Sequence, residues 1–133
     1  MSFNHAVVWL DHQEAHVIHF NPSASESEVI KTKSRHAHLH HKVGSASGTH
    51  MNVDPSYLHE IVQAVSDAKE ILIVGPGSAK AALMKHIVKH DHQQSDKVVG
   101  VETVDHPTDG QLLAYAKKYF LRADNLKGDT VIQ

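Results

Sequence analysis

Apolar positions in this chain form two patterns, short runs that suit strands and spaced stripes that suit helices. Residues 71–74 are an unbroken apolar run, typical of a strand covered on both faces near the centre of a partly parallel sheet. A Gly-Pro-Gly turn at residues 75–77 ends this strand. Ser78 can cap the helix that begins at Ala79. One stripe of that helix is predicted to be buried, and it consists of Leu83, Met84, Ile87 and Val88.

The segments before this unit predict three strands and a helix. Residues 6–10 predict a buried strand. Residues 14–20 predict a strand in which apolar and polar positions alternate. Residues 28–33 predict a third strand, whose lysines suit the edge of a sheet. Short turns join the three strands, so we expect an antiparallel meander. The Asp-Pro pair at residues 54–55 predicts the start of a helix that reaches about residue 68.

The segments after the unit predict one more strand and one more helix. Residues 91–96 are polar and predict a loop, and residues 97–104 predict the fifth strand. Thr108 and Gln111 have the spacing of a capping box for the last helix. We expect that helix to end near residues 125–128.

The predicted order β-β-β-α-β-α-β-α indicates an α/β fold with a mixed five-stranded sheet flanked by helices. This is the order of ribonuclease H-like domains. Because the chain has 133 residues and no internal repeat, we expect one domain over residues 1–133, with a long loop at about residues 34–53.

Composition narrows the class of protein. No apolar run approaches the ~20 residues needed to span a bilayer, and the amino-terminal residues lack the basic region of a signal peptide. The chain has no cysteine, which excludes disulfides, thiolate metal sites and cysteine nucleophiles. We therefore expect a cytoplasmic protein that does not associate with membranes.

The predicted loop is unusual in its charge. From Lys31 to His50 the chain carries four Lys or Arg residues, five His and no Asp or Glu, although the net charge of the whole chain is -2. Lys and Arg supply permanent charge for phosphates, and imidazoles hydrogen-bond to bases or stack on them. The predicted nucleic-acid contacts are Lys31, Lys33, Arg35, His36, His38, His40, His41 and Lys42. The alternative is a solvated loop without a partner.

Histidine makes up 14 of the 133 residues, which raises a second possibility. Alternate residues of an extended segment share a face, so His36, His38 and His40 could converge on Zn²⁺ or Ni²⁺. On the predicted second helix, His86 and His90 are four residues apart, and His92 follows closely. A divalent-metal site built from either set of histidines is therefore an alternative prediction.

The carboxyl ends of parallel strands provide a third candidate site. Asp11, Ser78, Lys80 and His106 would share one edge of the sheet, where ligands of open α/β sheets bind. The glycine turn lacks Walker A spacing, and no triad has a diagnostic frame such as G-x-S-x-G. A metal nuclease needs several carboxylates, and the end of the fourth strand offers none. We therefore predict no catalytic residue, and a hydrolase that uses this set is the weaker alternative.

Three segments resemble a known family. Residues 70–80, EILIVGPGSAK, resemble the strand–Gly-Pro-Gly–helix segment in the middle domain of archaeal and eukaryotic class-1 peptide release factors and Pelota. Residues 8–15, VWLDHQEA, and residues 101–112, VETVDHPTDGQL, are similar to the small stand-alone bacterial relatives of that domain, which are described as translational machinery proteins.

The resemblance implies a ribonuclease H-like middle-domain fold and an association with translation, with the ribosome, ribosomal RNA or tRNA as partner. In release factors the loop after the third strand carries Gly-Gly-Gln, which promotes hydrolysis of peptidyl-tRNA. Here residues 44–48 of that loop read Gly-Ser-Ala-Ser-Gly, so no catalytic residue is carried over. We expect a non-catalytic, translation-associated RNA-binding module that uses no cofactor.

Overall fold

Five strands form one mixed sheet in the order β3-β2-β1-β4-β5. The computed structural model describes residues 3–33 and 53–132, with side chains up to residue 122. The strands are β1 (His5–Leu10), β2 (Glu14–Phe20), β3 (Ser25–Lys31), β4 (Glu70–Gly75) and β5 (Val98–Thr103). β1, β2 and β3 pair antiparallel, whereas β4 lies parallel to both β1 and β5. The predicted meander and the parallel crossovers are confirmed.

Helices flank this sheet on both faces. They are α1 (Pro55–Ala64), α2 (Ala79–His90), α3 (His92–Ser95) and α4 (Asp109–Ile132). The predicted α/β fold, with its mixed five-stranded sheet, is therefore confirmed. In the part of the chain that the structure describes, no helix is long and apolar enough to cross a membrane.

The apolar run of β4 is buried because each face of the sheet has its own core. Ile71 and Ile73 pack with residues of α1 and α2, whereas Leu72 and Val74 pack with residues of α4. All four side chains are at most 1% exposed. The prediction of a central strand covered on both faces is confirmed.

The predicted helix starts have the contacts expected of them. The Asp54 carboxylate accepts a hydrogen bond of 3.0 Å from the Ser56 N–H at the start of α1. Before α4, the Thr108 N–H donates to the Gln111 side-chain oxygen at 2.9 Å, and the Gln111 N–H donates to the Thr108 hydroxyl at 3.1 Å. This reciprocal pair is the predicted capping box.

Several element bounds differ from expectation. α4 continues to Ile132 rather than ending near residues 125–128, and β3 ends at Lys31 rather than at residue 33. β3 begins at Ser25 rather than at residue 28, because the Asn21 side chain accepts from the N–H groups of Ser23 and Ala24 and closes the preceding turn early. α1 ends at Ala64 rather than near residue 68. The predicted polar loop at residues 91–96 contains the short helix α3.

The start and the buried stripe of α2 also differ from expectation. Ser78 precedes the helix but makes no side-chain capping hydrogen bond. Leu83 and Ile87 are buried as predicted, at 1% exposure each, but Val88 is 47% exposed. One residue advances the side chain by about 100° around a helix, which carries Val88 past the edge of the sheet-facing stripe.

Candidate nucleic-acid interface

A groove runs between the end of β3 and the outer side of α1. We call it the basic groove, and its lining residues are Lys31, Lys33, Ser56, Tyr57, His59, Glu60 and Gln63. Both lysines are exposed to solvent. The groove therefore combines two permanent positive charges with an imidazole and a carboxylate.

The position of Lys31 follows from the register of the edge strand. β3 pairs with β2 so that Lys31 lies opposite Glu14. β3 has its other edge open in the strand order, as its lysines predicted. Beyond the strand, the Thr32 N–H donates to the Gln13 carbonyl oxygen at 2.9 Å, which keeps the chain against the β1–β2 turn. Lys33 follows directly and lines the same groove.

The opposite wall of the basic groove is held by Tyr57. This residue is 2% exposed, and its hydroxyl donates to the Asp11 carbonyl oxygen at 3.0 Å. Burial, followed by the charges of Asp11 and Glu14, raises the pKa of Tyr57 far above its usual value. The hydroxyl consequently stays protonated and remains a donor, so the first turn of α1 has a fixed place against the sheet.

Six of the predicted nucleic-acid contacts lie outside the described residues. They are Arg35, His36, His38, His40, His41 and Lys42. They belong to the segment that joins Lys33 to Val53. Lys33 and Ser56, which stand close to the two ends of this segment, both line the basic groove.

The predicted histidines of the second helix lie next to α1. The rings of His86 and His90 are 4.7 Å apart, so this pair is close together as the spacing predicted. The His59 ring of α1 lies 6.3 Å from that of His86. His92 stands at the start of α3 and is exposed. Burial lowers the pKa of His86, and a positive charge on His90 would lower it further.

Two members of this histidine cluster were missed by sequence reasoning. One ligand atom from each of His59, His86 and Asp91 lies within 4.8 Å of the others. His59 is on the exposed side of α1. The apolar stripe of α1 therefore does not indicate that His59 lies next to another helix. The contact between His59 and His86 depends on how α1 packs beside α2. The spacing of residues within one helix does not predict how two helices pack. A signal for Asp91 was present, because a carboxylate follows directly after His90.

The residues predicted at the sheet edge do not share one site in the structure, and each has its own contacts. The Asp11 carboxylate accepts from the N–H groups of Gln13 and Glu14, at 2.8 and 2.9 Å, and so closes the β1–β2 turn. The Lys80 ammonium donates to the Gly77 carbonyl oxygen at 2.6 Å. His106 lies with its ring 5.0 Å from that of Trp9. The contacts of Asp11 and Lys80 fit a turn and a helix start, and Ser78 is exposed.

A second cluster at this edge was also missed. The Trp9 indole N–H donates to the Asp105 carbonyl oxygen at 2.6 Å. His16 lies between the carboxylates of Glu14 and Asp109, 3.0 Å from each. Burial lowers the pKa of His16, but the hydrogen bond with Glu14 and the charge of Asp109 outweigh it, so the net pKa is raised. These carboxylates disfavour a polyanion here and favour the basic groove for that role.

Comparison with known proteins identifies the fold. Neither a protein-family model nor a curated protein sequence matches the chain. Among solved structures, Pelota from Thermoplasma acidophilum matches with a TM-score of 0.56 and 19% identity, over 85% of this chain and 31% of that chain. Pelota from Archaeoglobus fulgidus matches with a TM-score of 0.57 and 13% identity, over 98% of this chain and 40% of that chain.

A third match is Dom34 from S. cerevisiae, with a TM-score of 0.55 and 13% identity, over 96% of this chain and 40% of that chain. Dom34 is described as a translation termination-like factor involved in RNA quality control pathways and interacting with Hbs1. The chain therefore has the fold of a domain of these proteins and spans less than half of their length. The fold therefore confirms the resemblance to the middle domain of release factors and Pelota. It also confirms the ribonuclease H-like arrangement expected from the sequence.

Proposed function

We propose that this chain is a translation-associated module that binds RNA on the ribosome. The RNA would be ribosomal RNA or tRNA, and it would contact the basic groove and the segment at residues 34–53. The observation that carries the proposal is that Lys31 and Lys33 share one groove at the point where the basic segment leaves the sheet. The fold supports translation as the setting, because Dom34 is described as a translation termination-like factor.

Charge supports RNA as the partner. Lys31, Lys33, Arg35 and Lys42 provide four permanent positive charges in a stretch without a carboxylate. Each phosphate that such a residue neutralises releases counterions, so binding is favoured at low salt. The exposed imidazole of His59 adds a group that can donate to phosphate or stack on a base. Glu60 opposes these contacts from within the groove.

The proposed role is binding without catalysis. Residues 44–48 carry Gly-Ser-Ala-Ser-Gly where the resemblance leads one to expect Gly-Gly-Gln. No residue replaces the glutamine that promotes hydrolysis of peptidyl-tRNA in release factors. The module would therefore occupy a site on the translation machinery in the cytoplasm, without a cofactor and without chemistry of its own.

Co-sedimentation with purified ribosomes, together with filter binding of tRNA, tests this proposal. The full chain is compared with a variant that replaces Lys31, Lys33, Arg35 and Lys42 with Ala, at about 50 and 200 mM salt. The matched control replaces four exposed lysines of α2 and α4, namely Lys85, Lys89, Lys117 and Lys118. We expect the increase from about 50 to 200 mM salt to weaken binding at least about tenfold, and the first variant to do the same at the lower salt concentration. The control variant should keep most of the wild-type affinity. Affinity that responds neither to salt nor to the first variant would refute the proposal.

A further inference from the structure

Buried polar atoms without partners concentrate in one short stretch of the described residues. These atoms are His86 Nε2, Asp91 Oδ2 and Gln94 Oε1. Buried polar groups in native proteins nearly always have a hydrogen-bond partner, so atoms that lack one require an explanation. One such explanation is a ligand that these atoms bind.

Two of these residues belong to the cluster between α1 and α2. One ligand atom from each of His59, His86 and Asp91 lies within 4.8 Å of the others. A tetrahedral ion with bonds of about 2.0–2.1 Å holds its ligand atoms about 3.3 Å apart. The ligand atoms therefore need to approach one another by at most about 1.5 Å to bind one ion. His59 is exposed, so its side chain has the freedom to make this movement.

We propose that His59, His86 and Asp91 form a binding site for Zn²⁺. Two imidazoles and one carboxylate are a ligand set typical of zinc sites that keep a fourth position for water. Magnesium and calcium prefer oxygen ligands alone, so this set disfavours them. The site contains one of the helical histidines predicted from the sequence, His86, and takes its other ligands from α1 and from the end of α2.

The neighbouring groups suit a bound cation. Asp91 is the cap residue directly after α2, and its N–H donates to the Ile87 carbonyl oxygen at 2.8 Å. The carbonyl end of a helix carries a partial negative charge, which attracts a cation. The His90 ring lies 4.7 Å from the His86 ring. The ion would join α1 to the end of α2. His59 also lines the basic groove, and the test of the zinc site uses no RNA.

Calorimetric titration of the chelator-treated full chain with Zn²⁺ tests the site. Since 14 histidines give background binding, the quantity to follow is the phase that saturates at one equivalent. We expect this phase in the wild type with a Kd of about 1 μM or tighter. His59→Gln and Asp91→Asn should each weaken it about tenfold or more. His59 is exposed, so the first variant is expected to fold normally.

Two controls separate this site from the other histidines. His92→Gln changes an exposed histidine close to the site, and a second variant replaces His36, His38, His40 and His41 with Gln. Both should keep the one-equivalent phase, and Zn²⁺ should raise the Tm of the wild type but not of Asp91→Asn. The proposal is wrong if the wild type lacks this phase. It is also wrong if His59→Gln and Asp91→Asn leave the phase unchanged, or if the four-histidine variant abolishes it.

Discussion

The Tyr57 hydroxyl donates a hydrogen bond of 3.0 Å to the main-chain carbonyl oxygen of Asp11. Tyr57 stands in the first turn of α1, and Asp11 begins the turn between β1 and β2. The bond thus connects the first helix to the carboxyl end of a central strand. Because Tyr57 also lines the basic groove, the same contact fixes one wall of the proposed RNA-binding surface.

Replacing Tyr57 with Phe tests this contact. The substitution keeps the ring but leaves the Asp11 carbonyl oxygen without its donor, so we expect the free energy of unfolding to fall by about 1 kcal/mol. Urea unfolding of the two proteins measures the difference. Tyr115→Phe, at a partly exposed position of α4, is the matched control and should change the value by less than about 0.5 kcal/mol. Equal stability of Tyr57→Phe and the wild type would show that the bond does not stabilise the fold.

The Gly-Pro-Gly turn provides a second test, since its two glycines differ in their surroundings. A Cβ atom at Gly75 would collide with the Leu10 carbonyl oxygen of the neighbouring strand, whereas one at Gly77 would have no atom within 4 Å. Neither glycine has a positive φ, so the difference arises from contact alone. We expect Gly75→Ala to lower the free energy of unfolding by about 1–3 kcal/mol, and Gly77→Ala to change it by less than about 0.5 kcal/mol. Similar effects of the two substitutions would contradict this explanation.

The His16 cluster predicts a dependence of stability on pH. The folded-state pKa of His16 is raised, so its contribution is fully present below the unfolded pKa of about 6.5 and is lost as the pH rises through the folded value. We therefore expect His16→Gln to destabilise the fold more at pH 6 than at pH 9, as measured by denaturant unfolding. His12→Gln changes an exposed neighbour and should show no such difference. A larger effect of His16→Gln at pH 9 would reverse the predicted sign.

Glu60 allows a prediction of increased affinity. Its carboxylate lines the basic groove beside the two lysines and repels phosphate. Glu60→Gln should therefore strengthen binding to ribosomes or tRNA by about two- to fivefold at low salt. Asp96→Asn, which removes a charge before the amino end of β5, is the control and should have little effect. Weaker binding by Glu60→Gln would indicate that RNA does not approach this groove.

Much of the architecture could be predicted because its signals are local. The apolar run at residues 71–74 predicted a buried central strand, and the spacing of Thr108 and Gln111 predicted the capping box at α4. Val88 was misplaced because it lies one residue, or about 100° around the helix, beyond the buried Ile87. The start of β3 was misplaced because the Asn21 side chain closes the preceding turn through a hydrogen bond from the Ala24 N–H. The alternation of apolar and polar residues in a strand does not predict that bond.

The candidate sites were harder to predict, since their residues come from different elements. His59 and His86 meet where α1 lies beside α2, and no pattern within either helix specifies that pairing. His16 and Asp109 belong to β2 and α4, and they meet because both lie at one edge of the sheet. Lys31 and Lys33, which are two residues apart in the sequence, were predicted as RNA contacts from their charge, and the structure places both in one groove.

The dependence of ribosome binding on salt tests the central claim most directly. The slope of log affinity against log salt concentration is measured for the wild type, for Lys31→Ala/Lys33→Ala and for the control pair Lys117→Ala/Lys118→Ala on α4. If the two groove lysines neutralise phosphates, removing them should reduce the magnitude of the slope by about 1.4–1.8, and the control pair should leave it unchanged. Identical slopes for the groove variant and the wild type would contradict the account.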